Sequence, residues 1–224
     1  YWGLLVWSDE WIQATTPWIE NPASLPFPRS RHILRALTAG WVATRDIRYA
    51  QAAQVILEAD LFTHGEWIRS RPSLDEGVFI QNGLNNLGWL MDAANFDETR
   101  GEALLNGMAG YVAHLAGRIC PASMNWRVAD AANLLKAGIL LAHHPAAEAW
   151  RALAARILND AVWRQFHPDG SHTEHNPHYH VWMTREMTDL WRISRRAPEL
   201  SLRIPPDTVA RMWKYALFCN RPNG

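Results

Sequence analysis

Prolines and turn residues cut this chain into helix-length pieces, and that spacing constrains the fold more than any other feature. The breakers are Pro17, Pro22, Pro26 and Pro28, then Pro72, Pro121, Pro145, the Pro168-Asp169-Gly170 turn and the Pro205-Pro206 pair. Between them apolar residues recur at the helical period. Residues 29–44 put Ile33, Leu34, Leu37 and Trp41 on one face, and 48–62 do the same with Ala52, Val55, Ile56 and Ala59. Further helices are expected over 1–16, 76–94, 98–117, 126–142, 145–165, 178–193 and 206–219. Start signals agree: Asp97-Glu98 suits the positive end of a helix dipole, Pro206 suits a first helical position, and Ser73-Leu74-Asp75-Glu76 reads as a capping box. Alternating apolar runs are nearly absent, so no sheet is expected. The reading is all-α, an array of antiparallel hairpins. A plain bundle and hairpins curving into a ring both fit, and no strict repeat is present.

Length and charge narrow the function. At 224 residues the chain suits one large domain or at most two small ones. Its 22 basic and 22 acidic side chains cancel, which argues against a general nucleic-acid binder. No stretch approaches the roughly 20 apolar residues of a membrane span. Cys120 and Cys219 make neither a disulfide scaffold nor a cysteine zinc site, and read as small buried hydrophobes with one optional disulfide. Tryptophan stands out, with 13 residues against an ordinary usage of roughly one or two per hundred. Tryptophan fills cores, anchors interfaces, or stacks on flat partners such as sugar rings. Trp7, Trp11, Trp150, Trp163 and Trp213 sit at helical spacing among apolar residues and read as core. Tyr1 opens the chain without a signal-peptide pattern, and Asn220–Gly224 is a turn-forming run, so a piece of a longer protein is expected.

Five of the ten histidines fall between Phe166 and His180 (His167, His172, His175, His178 and His180) in a segment between two long helices. Three readings are open. The histidines with Glu174 can be metal ligands, although Pro177 interrupts the i, i+4 spacing that a helical site needs. They can belong to a hydrogen-bonded turn. Or they can serve proton transfer, with Tyr179 beside His178 and His180, since a cation beside a phenol favours the phenolate.

The Phe166–His180 run resembles the F-x-D-G-x-x-x-E-x-(S/N)-P-x-Y-H signature of the heparinase II/III-like polysaccharide lyases. Asp169, Gly170, Glu174, Pro177, Tyr179 and His180 fall on its fixed positions, with one residue inserted after the Phe. Asn125–Gly138 is similar to that family's N-H-x-x-x-x-A-x-x-L-x-x-A-G helix, and Arg221-Pro222-Asn223-Gly224 resembles the R-P-(D/N)-G edge where its helical toroid passes into a β-sandwich. The resemblance implies an incomplete (α/α) toroid over 1–224, a single helical domain continued in the longer protein by a β-sandwich. It implies a lyase that cleaves a uronic-acid polysaccharide by β-elimination, needing no metal or cofactor and working in the periplasm or after secretion.

Carried onto this chain, the resemblance makes Asn125 the neutraliser of the uronate carboxylate and Tyr179 the acid and base. His180 follows the family's Tyr-His pair, either as a third catalytic residue or as support of the loop. Glu174 and Asp169 hold the loop. Trp126 and Trp89 are expected to stack on sugar, Arg127 to pair with a carboxylate or sulfate, and Glu174, His175, His178 and Asn85 to complete the substrate contacts. Asn85 belongs to the amide-rich run Gln81–Trp89, where helix-packing amides are the simpler alternative. Two departures stand out. Trp126 replaces the His that often follows the motif Asn, and the family's further catalytic His comes from the β-sandwich.

Overall fold

The computed structural model describes residues 16–17, 19–22, 30–122 and 124–219. The expected helix over 1–16 lies, except for Thr16, outside these residues, as do Trp7, Trp11 and the terminal run 220–224. Helices make up the fold: α1 (Ser30–Thr44), α2 (Ile47–Glu58), α3 (Gly65–Ser70), α4 (Ser73–Leu90), α5 (Glu98–Ala116), α6 (Asn125–Leu140), α7 (Ala147–Arg164), α8 (Pro177–Arg196) and α9 (Pro206–Cys219). Among the described residues the only strand-like pairing is an isolated bridge between Phe166 and His172. No helix among them is long and apolar enough to cross a membrane.

The chain divides into two compact units, residues 1–71 with 79–111, and residues 72–78 with 112–224. In the first, α1 and α2 form a hairpin joined by Arg45 and Asp46. Arg45 takes a left-handed conformation (φ 59°) and its N–H returns to the Trp41 carbonyl at 2.8 Å, closing α1. Asp46 caps α2 by accepting from the Arg48 N–H. Leu34, Leu37, Ile56, Leu57, Ile80, Leu87 and Met108 are fully or almost fully buried here. A single turn of π-helix, Ala59–Thr63, carries α2 into the short α3, an element that the apolar period does not announce.

In the second unit α6 pairs with α7 and α8 with α9. α6 is the most enclosed helix, with eleven of its sixteen residues buried. Its Lys136 meets Glu186 of α8 at 2.5 Å. His144 stacks on Trp150 at 4.6 Å and accepts from the Ala146 N–H, fastening the turn before α7. Asp97 and Pro206 occupy the starts expected of them, with Asp97 accepting from the Arg100 N–H at 2.7 Å.

Four expectations change. The capping box does not form: Asp75 and Glu76 N–H groups go to the Pro72 carbonyl, and the buried Glu76 carboxylate takes His114 Nδ1 at 2.8 Å with Arg118 at 3.8 Å. A buried carboxylate needs paired charge more than a helix end needs a second cap. Trp150 is core, but Trp163 is 74% exposed because it lies off the α7 stripe of Ala154, Ile157, Leu158, Ala161 and Val162. Trp213 is half-exposed and donates Nε1–H to Thr188 at 2.9 Å. Both cysteines are free thiols and only partly buried.

Candidate functional site

The loop between α7 and α8 is tightly bonded. The His167 N–H donates to the Ser171 carbonyl, the Gly170 N–H to the His167 carbonyl, and the Thr173 N–H to the Gln165 carbonyl. Asp169 Oδ1 accepts from both the N–H and the hydroxyl of Ser171, which holds its carboxyl below the usual range. Gly170 sits at φ 92°, and a β-carbon there would stand 2.4 Å from the Arg211 backbone of α9. Only glycine meets both demands.

The histidines separate into buried and exposed sets. His172 is buried, donates Nε2–H to Gln165 Oε1 (3.2 Å) and accepts at Nδ1 from the Glu174 N–H (3.3 Å). That arrangement requires the neutral tautomer, and burial pushes its pKa below 6.5. His180 is also buried. Its Nε2 reaches the Met212 carbonyl at 2.9 Å, so it carries the proton there, and the ring meets Tyr215 edge-on. His180 therefore ties α8 to α9, which agrees with the supporting role that the resemblance leaves open for it. His175 and His178 are exposed, His175 at φ 51° and stacked on His167 at 5.6 Å. Among the described residues no group of three or more His, Cys, Asp or Glu side chains is placed to hold a metal ion.

Asn125 and Glu174 join the two sequence motifs. The Glu174 carboxylate accepts from the Asn125 N–H at 2.7 Å and from its Nδ2 at 2.9 Å, across 49 residues. Asn125 opens α6, and the residue before it, Met124, has no side-chain oxygen with which to cap the helix. Glu174 supplies the cap from the loop and places its charge at the positive end of the helix. It was expected to touch substrate; both oxygens are instead bonded to Asn125, which is itself 2% exposed.

Tyr179 stands in the first turn of α8, where Asn176 caps through Oδ1 to the N–H groups of His178 and Tyr179, with Pro177 at the first helical position. Tyr179 is 38% exposed, with His178 edge-on at 5.8 Å and Trp182 at 6.5 Å. Trp126 is 36% exposed. Arg127 donates Nη1–H to the Cys120 carbonyl at 2.9 Å. The unit thus gathers an amide, a carboxylate, an open phenol and exposed aromatic surface. Asn176 and Gln165 hold this arrangement and were not singled out from sequence; the Asn-Pro pair at 176–177 was the available signal, while Gln165 had none.

Asn85 and Trp89 belong to the other unit. Both are exposed on α4, and the Trp89 carbonyl accepts from Trp41 Nε1. Their neighbours are structural: Asn86 bonds back to the Asn82 carbonyl and Asn82 Oδ1 accepts from Arg35.

Among curated protein sequences none matches the chain. Solved structures do. The chain is similar to the crystal structure of heparinase III at a TM-score of 0.71 and 20% identity, covering 87% of this chain and 31% of that one. It is similar to heparan sulfate lyase HepC from Pedobacter heparinus at 0.65 and 19%, covering 86% and 32%. A heparinase III described as the BT4657 gene product aligns at 0.66 and 17%, covering 93% and 39%. The chain therefore spans about a third of the length of these structures. The likeness establishes the fold, an all-α incomplete (α/α) toroid. A family model described as Heparinase II/III N-terminus matches residues 31–224. The chain belongs to the heparinase II/III N-terminus family.

Proposed function

We propose that the protein is a polysaccharide lyase that cleaves a uronic-acid-containing chain by β-elimination. The observation that carries this reading is the pair of hydrogen bonds from Asn125 to Glu174, which joins the asparagine motif to the loop that leads into α8 and Tyr179. Elimination moves one proton. A base takes the C5 hydrogen, the electron pair becomes the C4–C5 double bond, the C4–O4 bond breaks, and O4 receives a proton. Tyr179, exposed on α8, suits the base and acid roles because its phenolate can take the C5 proton and the phenol so formed can return it to O4. The Asn125 amide suits stabilisation of the charge that builds on the uronate carboxylate, with Glu174 fixing its orientation. His180 positions α8 through the Met212 carbonyl. Trp126 and the exposed His175 and His178 offer sugar contacts beside these groups. A polymeric substrate puts the reaction in the periplasm or outside the cell, and cell fractionation tests that.

A second reading, a sugar-binding relative with impaired elimination, has its own support. Trp126 stands where the family often has His, and the Asn125 amide is already engaged by Glu174. Ultraviolet absorbance of unsaturated uronate product, on a panel of uronate polysaccharides, separates the two. The chain and a form extended past Gly224 are both assayed. Product that disappears in Tyr179→Phe is the expected result. Silence from both forms across a broad panel, with folding intact, overturns the lyase reading in favour of the binding one.

A further inference from the structure

A pocket of about 490 Å3 opens in the second unit, lined by Ala116, Gly117, Ile119, Arg127, Leu153, Arg156, Ile157 and Asp160. Neither Asn125 nor Tyr179 lines it. Its α7 wall follows from helical spacing, since Leu153, Arg156, Ile157 and Asp160 fall at i, i+3, i+4 and i+7. The end of α5, Ile119 and Arg127 complete it.

The charge in this pocket is organised. Arg127 is anchored by its Nη1–H on the Cys120 carbonyl, which leaves the rest of its planar fork available. Arg156 is exposed. The one carboxylate, Asp160, is held by Arg164 at 2.5 Å one turn along α7, so its charge is offset. Two arginines therefore line the same volume together with the aliphatic residues Ile119, Leu153 and Ile157. Guanidinium forks match carboxylate and sulfate oxygens, and aliphatic side chains accept the C–H face of a sugar ring. The volume lies in the range of small-molecule sites.

We infer that this pocket binds a sugar unit bearing a carboxylate or a sulfate, as an accessory site separate from the Asn125 and Tyr179 groups. The choice of a sugar rests on the lyase reading; the anion site does not.

Ligand-observed saturation-transfer NMR on the full-length protein tests it, with methyl glucuronide, methyl glucoside 6-sulfate and neutral methyl glucoside as probes. One or both anionic probes should bind and the neutral one should not; which of the two binds assigns carboxylate or sulfate. Arg156→Gln should weaken anion binding at least tenfold, and Arg156→Lys should restore part of it. Arg156 is exposed, so both variants should keep the fold. Equal transfer to the neutral glycoside overturns the proposal. So does anion binding that Arg156→Gln leaves intact, and a signal lost only in Tyr179→Phe belongs to the other site. Arg156-dependent binding without any elimination would sink the lyase reading and leave this site standing; elimination with Arg156-independent binding would do the reverse.

Discussion

Residues 81–89 and residues 165–180 both look polar and functional in sequence, but they spend their hydrogen bonds differently. On α4 the amides serve their own helix and its neighbour: Asn86 bonds to the Asn82 carbonyl four residues back, and Asn82 takes Arg35. Asn85 faces outward. In residues 165–180 Asp169, His172 and Asn176 bond within the segment, while three other residues fasten distant elements. Glu174 caps α6, Gly170 lets α9 approach, and His180 ties α8 to the Met212 carbonyl. A polar helix face can lose a residue cheaply. A polar loop that substitutes for missing caps cannot.

This contrast can be broken by mutation. The largest effect is expected at Gly170. Gly170→Ala meets both a positive φ and the Arg211 backbone, and should cost about 3 kcal/mol or more, read as a fall in denaturant midpoint. A near-neutral result would mean that α9 does not press on the loop. Next comes Glu174→Ala, which strips the cap from α6 and leaves the buried Asn125 N–H unpaired, for about 2–3 kcal/mol. Glu174→Gln keeps an acceptor and should recover part of that loss; equal damage from both would point to charge rather than the hydrogen bond.

The pH dependence sharpens the same point. Buried neutral His172 has a depressed pKa, so its contribution is full above about 6.5, the ordinary imidazole value. Below that the unfolded chain takes up a proton that the folded chain refuses, and stability falls until the depressed folded value is reached. Thermal melts of the protein and of His172→Gln between pH 7.5 and 5, a range spanning about 6.5, should converge as pH drops. Parallel curves would remove His172 from the account. The smallest effect belongs to α4: Asn85→Ala should change stability by no more than about 0.5 kcal/mol. A larger loss would show that its amide is structural after all.

Most helices were legible because their period and their punctuation agree. Asp97, Pro206 and the loop prolines fall where the chain starts and stops helices. The failures share a cause. Glu76 looked like a capping residue by local spacing, but His114 and Arg118 claim it from 38 and 42 residues away. Trp163 looked like core by its helical spacing among apolar residues, yet its position on α7 turns it outward. The site divides in the same way. Tyr179 and Asn125 could be chosen from their motifs, and Asn176 followed by Pro177 carried a readable helix start. That Glu174 spends both oxygens on Asn125 depends on how α6 and the loop come together, which no local pattern encodes. The same holds for His180, whose partner is a backbone carbonyl on another helix.

The bond between the Glu174 carboxylate and the Asn125 N–H also has a kinetic meaning. The first turn of a helix usually frays by itself, and its amides trade hydrogen for deuterium quickly. Here the leading amide of α6 is sealed by a residue of another segment. It can exchange only when the loop lifts. Deuterium uptake at that one position would therefore clock the opening of the loop, even in a protein to which no sugar has been added.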